Sequence, residues 1–189
     1  RWGSSGTDAF ARGCLTVLMD TLDDQVGPKR GRRVELQAHV APFGAHPHQR
    51  VAWDIEQVDP LLRRGTLHVT AWGQLLAGKT YPWQRSRMTA KRGVPGQPWN
   101  SLPARQRTAG GLRWRRELNG PFFLELEGAG CWDWEAVEAP GEGEETYGAG
   151  LAAGVDTPVG PAKISWGISS RSDRWTVSIG APVTFGPGR

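Results

Sequence analysis

The sequence predicts an all-β, antiparallel fold whose strands cross a membrane as part of a β-barrel. Three observations carry this. From Tyr147 onward, three runs alternate apolar and polar residues with a period of two. Tight turns separate the runs, and aromatic residues crowd the apolar face near the strand ends. In a bilayer the apolar face of such a strand meets lipid and the polar face lines a lumen. A soluble sandwich is the competing all-β reading, but it rarely carries so many aromatics at the ends of one face.

In the first run Tyr147, Ala149, Leu151, Ala153 and Val155 share one face, opposite glycines, Ala152 and Asp156. The turn at 157–161 leads to Ile164, Trp166 and Ile168 against Lys163, Ser165, Gly167 and Ser169. The last run, Arg174 to Phe185, sets Trp175, Val177, Ile179, Ala181, Val183 and Phe185 against Thr176, Ser178, Gly180, Pro182 and Thr184.

Six earlier segments fit the same period. Cys14 to Asp24 ends at a Pro/Gly-containing turn, 25–31, and Arg33 to Val40 alternates Val34, Leu36, Ala38 and Val40 with Arg33, Glu35, Gln37 and His39. A loop over 42–49 precedes Val51, Trp53 and Ile55, and Leu61 to Gly65 turns the chain into Thr66 to Ala77. Gly78 to Gly110 lacks periodicity and is rich in Pro and Arg, the mark of a long functional loop. Beyond it, Leu112, Trp114 and Leu118 alternate with Arg113 and Arg115, and Phe122, Leu124 and Leu126 with Phe123, Glu125 and Glu127. Glu135 to Glu145 reads as a second surface loop, and residues 1–12 as a linker or the end of a preceding strand.

The polar faces collect Arg33, Glu35, His39, Asp54, Glu56, His68, Arg113, Arg115, Glu125, Glu127, Asp156 and Lys163. An Arg or Lys turned to lipid costs about 2–4 kcal/mol near the midplane, so these charges face inward, and their mixed signs predict a cross-linked lumen. Nine strands leave two open edges, which hydrocarbon does not tolerate. The chain begins at Arg1 with no initiator Met or targeting segment. It is therefore expected to be a piece of a longer precursor that supplies further strands on the N-terminal side.

Composition agrees. The 189 residues include 26 Gly, 14 Pro and 10 Trp, which suits turn-rich β structure and disfavours a helix bundle. No apolar stretch reaches the ~18 residues of a membrane-spanning helix. A net charge of +4 comes mostly from scattered arginines, whose natural partners are anionic headgroups or lumenal ion pairs and not nucleic acid. Cys14 and Cys131 lack metal-ligand spacing and read as unpaired small hydrophobes, with a disulfide left open in an oxidising envelope. His46 and His48 share a loop without a third ligand, so no metal or other cofactor is expected. Gly3-Ser4-Ser5-Gly6 lacks nucleophile-elbow spacing and reads as linker, leaving no catalytic constellation. Trp83, Trp132, Trp134, Trp166 and Trp175 read as interface anchors.

Several motifs resemble those of the outer-membrane assembly barrels of the BamA and TamA superfamily, the bacterial surface antigen family. Asp20, Thr21, Asp23 and Asp24, with Pro28 and Gly31 downstream, resemble its strand–turn–strand signature. Tyr147-Gly148-Ala149-Gly150 through Asp156 to Pro161, then Trp166-Gly167 and Ser178-Ile179-Gly180 with Phe185, resemble its last three strands. The similarity spans Gly13 to Phe185 and implies the C-terminal nine strands of a sixteen-stranded barrel in the bacterial outer membrane.

The resemblance also makes 78–110 the counterpart of a loop inserted into the lumen, with Arg92 and Gly93 at its tip and Val94 where an aromatic is usual. The following strand reads Leu112-Arg113-Trp114-Arg115, with Arg113 replacing the usual Glu, and Gly128-Ala129-Gly130 lacks the usual Asp. Glu125 or Glu127 is the substitute partner for the loop arginine, in a lumen that also holds Arg113 and Arg115. The implied function is insertion, assembly or translocation of polypeptide clients among outer-membrane lipids. Its working edge would be a terminal-strand seam built from Trp175, Ile179, Gly180, Pro182 and Phe185. Pro182 has no N–H to donate, which suits an openable seam. The alternatives are the barrel anchor of a patatin-like phospholipase and a passive channel.

Overall fold

In a computed structural model the described residues are 12–24, 28–42, 47–78, 85, 93–98, 104–136, 140–158 and 160–179. They form nine strands: β1 (Gly13–Asp20), β2 (Gly31–Ala41), β3 (His48–Pro60), β4 (Gly65–Gly78), β5 (Gln106–Glu117), β6 (Phe122–Trp134), β7 (Glu144–Thr157), β8 (Gly160–Ser169) and β9 (Asp173–Ile179). All nine belong to one sheet in sequence order, and every neighbouring pair is antiparallel. A single turn of 3₁₀ helix, Pro140–Glu142, is the one helical element among the described residues.

This is the all-β antiparallel meander that the alternation predicts. Strands adjacent in sequence pair directly, and the period-2 pattern keeps one set of side chains on one face throughout. The strands differ from the sequence reading mainly at their ends. β1 stops at Asp20, although Thr21 N–H still donates to Arg32 O (2.8 Å) and Asp23 N–H to Arg30 O (3.1 Å). β3 takes in His48 and Gln49, assigned above to a loop, because outward Gln49 and Gln57 weaken the apolar contrast of a true strand. β5 begins at Gln106, so 106–110 belong to the sheet and not to the aperiodic segment. Gly and Ala occupy both faces of its first half, and no hydropathy contrast marks that stretch as a strand. β6 continues past Glu127 to Trp134 for the same reason, through Gly128-Ala129-Gly130.

The two faces are inverted relative to a water-soluble sheet. Large apolar side chains project from one face, with Leu15 65% and Trp175 64% exposed. The opposite face buries charge among apolar side chains: Asp54, Glu56, His68, Gln74, Arg107 and Glu125 all lie below a tenth exposed, Arg107 at 0%, alongside buried Val58, Trp72, Leu76 and Phe123. An ordinary domain buries its apolar side chains and leaves charge outside.

Candidate functional site

The polar face carries the constellation of interest, in three parts. The first is the turn between β1 and β2. Asp20 closes β1 and its carboxylate accepts the Leu22 N–H (3.0 Å), while Thr21 Oγ1 accepts the Arg32 N–H (3.0 Å) and donates to Arg32 O (3.1 Å). Asp23 Oδ1 accepts the N–H groups of Lys29 (2.9 Å) and Arg30 (3.2 Å). The Lys29 bond, with that of Arg30, holds the Asp23 carboxyl below its ordinary range against the opposing effect of desolvation. Pro28 is buried under this turn. Gly31 has φ of +119° and stands so close to the preceding strand end that a Cβ would lie 2.3 Å from Thr21 O. Asp20, Thr21, Asp23 and Gly31 thus meet at this turn, and Asp24 and Pro28 line the adjoining cavity.

The second part is that cavity, about 310 Å³, on the polar face beside the turn. Arg115 on β5 donates through Nη2 to both oxygens of Asp156 (2.7 and 2.6 Å), lies 3.8 Å from Glu125 Oε1, and stacks its guanidinium 3.7 Å from the Phe123 ring centre. Lys163 Nζ donates to Glu125 Oε2 at 2.7 Å, and Lys29 Nζ to Glu117 Oε1 at 2.8 Å. The Glu117 hydrogen bond raises the Lys29 ammonium above its ordinary range. Arg113 Nη2 lies 3.1 Å from His68 Nδ1, which is itself 3.3 Å from Glu56 Oε1. Lys29, Arg113, Arg115 and Lys163 face Asp24, Glu117, Glu125 and Asp156 across one space, so the formal charges balance. That balance cross-links the strands and gives no preference for an anion or a cation.

The third part is the far end of the same face, where residues 93–98 lie against β7 and β8. Val94 is buried with Cys131 and packed by Ala109 and Ala129. Pro95 and Gly96 approach three glycines: a Cβ on Gly148 would lie 2.3 Å from Pro95 O, one on Gly167 2.4 Å from Gly96 N, and one on Gly150 3.1 Å from Pro95 Cβ and Glu127 Oε1 alike. Gln97 Nε2 donates to Ser169 Oγ (2.6 Å) and Ser172 Oγ to Gly96 O (2.7 Å), so the β8–β9 turn clips the segment in place.

Of the residues singled out from sequence, Arg113, Arg115 and Glu125 meet in the cavity, while Glu127 borders the docked segment. Gly93 opens that segment. Arg92 lies outside the described residues, as do Gly180, Pro182 and Phe185. Trp175 lies on the apolar face opposite Trp166, their ring centres 6.4 Å apart, and Ile179 pairs with Ala162. Cys14 on β1 is exposed and Cys131 on β6 is buried, and neither forms a disulfide. His48 is in β3, and His46 is outside the described residues.

Sequence reasoning missed Gln106, Arg107 and Asp133. Arg107 makes a two-pronged pair with Asp133 (Nε–Oδ1 2.6 Å, Nη2–Oδ2 2.5 Å), and its guanidinium lies 5.7 Å from the Trp72 ring centre. Gln106 donates to Leu76 O and accepts from Leu76 N, both at 2.8 Å, standing in for a backbone partner where the β4–β5 ladder ends. The one available signal was the Arg107/Asp133 charge pair, which becomes visible only once β5 and β6 are paired in register.

No protein-family model matches this sequence, and no curated protein matches it.

Proposed function

We propose that this chain is the C-terminal part of an outer-membrane β-barrel of the assembly type, which helps insert or translocate polypeptides. The observation that carries the reading is the inversion of the sheet, with apolar side chains outward and a buried charge network on the other face. Hydrocarbon accepts such an outer face, and a water-filled or loop-filled interior accepts the inner one. Residues 93–98 against the polar face support the idea that the long β4–β5 segment folds into the interior. Further strands from the N-terminal side would pair with β1 and complete a sixteen-stranded wall. An edge strand at the seam would then template incoming strands through backbone hydrogen bonds, with no covalent chemistry required.

The experiment is reconstitution of the full-length protein into liposomes, followed by the folding rate of an unfolded outer-membrane β-barrel client. Acceleration over empty liposomes is the expected result. Steady ion conductance without acceleration would replace assembly with a passive channel. A protein that stays in the aqueous fraction would overturn the barrel itself.

A further inference from the structure

The rim of the sheet at the β3–β4 and β5–β6 turns gathers cations that the fold does not neutralise. Arg63 and Arg64 in the first turn, Arg116 near the end of β5, and Leu118 and Asn119 in the second turn line an open hollow of about 560 Å³. The two turns are fastened to each other, since Glu117 N–H donates to Arg64 O (2.8 Å) and Arg64 Nη1 to Asn119 Oδ1 (2.9 Å). Among the described residues Glu117 is the one carboxylate lining the hollow, and Lys29 already engages it at 2.8 Å. Arg63 and Arg116 have no ion-pair or hydrogen-bond partner among the described residues, whereas Arg107, Arg115 and Arg171 are each held by a carboxylate. Arg116 belongs to the apolar face, in register with Gly65 on one side and Leu124 on the other. An arginine on a lipid-facing surface is costly at the midplane and nearly free at headgroup level, so Arg116 marks that level. Leu61, Leu118 and Phe122 are exposed beside it, and Leu62 at the turn is 78% exposed. Leu62 and Arg64 have φ of +62° and +64°, a region that bulky L residues rarely adopt, so this turn carries backbone strain to hold its apolar tip beside the guanidiniums.

We propose that this hollow binds the phosphate of an anionic phospholipid, with Arg63 and Arg116 on the phosphate oxygens and Leu62 and Leu118 against the glycerol and the first acyl carbons. The site rests on the barrel reading and names a partner for it. Unpaired guanidiniums bordering exposed apolar side chains fit a ligand with an anionic head and an apolar tail, and a guanidinium fork matches phosphate geometry. Short turns mark the periplasmic rim of such a barrel, and the long connection between Gly78 and Gln106 lies at the opposite end. The leaflet met at a periplasmic rim is built of phospholipid. An ethanolamine headgroup would bring its ammonium against three guanidiniums, so the hollow prefers a headgroup without one, such as phosphatidylglycerol.

The test is native mass spectrometry of the full-length protein inserted into vesicles of equal phosphatidylglycerol and phosphatidylethanolamine and then released into detergent. Expected is retention of phosphatidylglycerol in preference to phosphatidylethanolamine. In the double variant Arg63→Gln, Arg116→Gln that retention should fall by about tenfold or more, the scale set by two basic residues at an anionic surface. The pair Arg85→Gln, Arg171→Gln removes the same charge from the opposite rim, where each arginine is held by a carboxylate, and should retain the lipid as the parent does. Equal loss in both pairs overturns the proposal in favour of diffuse charge attraction. Displacement of the lipid by inorganic phosphate overturns it in favour of a site for the free ion. A parent protein that inserts and shows no headgroup preference overturns the site alone, without need of any variant, whereas one that does not insert overturns the barrel reading with it.

Discussion

Asp23 illustrates how much one carboxylate organises. It accepts two backbone N–H groups across the β1–β2 turn, the Lys29 bond being the stronger influence in lowering its pKa. A carboxyl whose folded pKa is depressed contributes stability above its unfolded value, about 3.9 for Asp, and loses it as pH falls through the lower folded value. The amide resonances of Lys29 and Arg30 are therefore expected to hold steady from about pH 8 to pH 5 and to move only below about pH 4. In Asp23→Ala these amides should exchange faster at every pH, since both lose their acceptor. Unchanged exchange in Asp23→Ala would show that the turn is held by Thr21 and Gly31 alone.

At the scale of elements, β7 and β8 are strands with part of their side chains removed. Glycines in a strand interior ordinarily weaken it, and here they leave room for another backbone. Gly148 and Gly167 admit Pro95 and Gly96 at distances where a Cβ would lie 2.3 and 2.4 Å from backbone atoms. Gly167→Val should leave the sheet intact, because Val suits a strand, yet expel residues 94–97. The control is Gly110→Val, whose added Cβ would meet only Thr70 O, at 3.5 Å. In a Cys14→Ser background, an engineered Q97C–S169C pair should cross-link in the parent and in Gly110→Val, and fail to do so in Gly167→Val. Cross-linking retained in Gly167→Val would mean that the Ser172 hydrogen bond to Gly96 O and the burial of Val94 hold the segment without the glycine cradle.

For the whole molecule the inverted sheet makes the sharpest quantitative statement. Leu124 projects from the apolar face with 45% exposure, among Phe122, Leu126, Leu151 and Ile164 on the same face. If that face meets lipid, Leu124→Arg costs about 2–4 kcal/mol toward the midplane. If it meets water, a surface substitution costs under about 0.5 kcal/mol. Denaturant titration of folding into bilayers separates the two outcomes.

The sequence by itself determined the strand count, the antiparallel order and the membership of each face, because period-2 alternation is a local property imposed by the pleat. It also placed a chain reversal between β1 and β2, since Pro28 and Gly31 act over a few residues. Where both faces carry small residues the alternation vanishes, and so β5 before Leu112 and β6 after Glu127 were missed. Only the tertiary structure decided which inward charges meet: Arg107 with Asp133, Lys163 with Glu125, and Arg113 with His68. Those choices depend on the stagger between strands up to 45 residues apart and on a segment that folds back over three glycines, and neither is encoded in the spacing along any one strand.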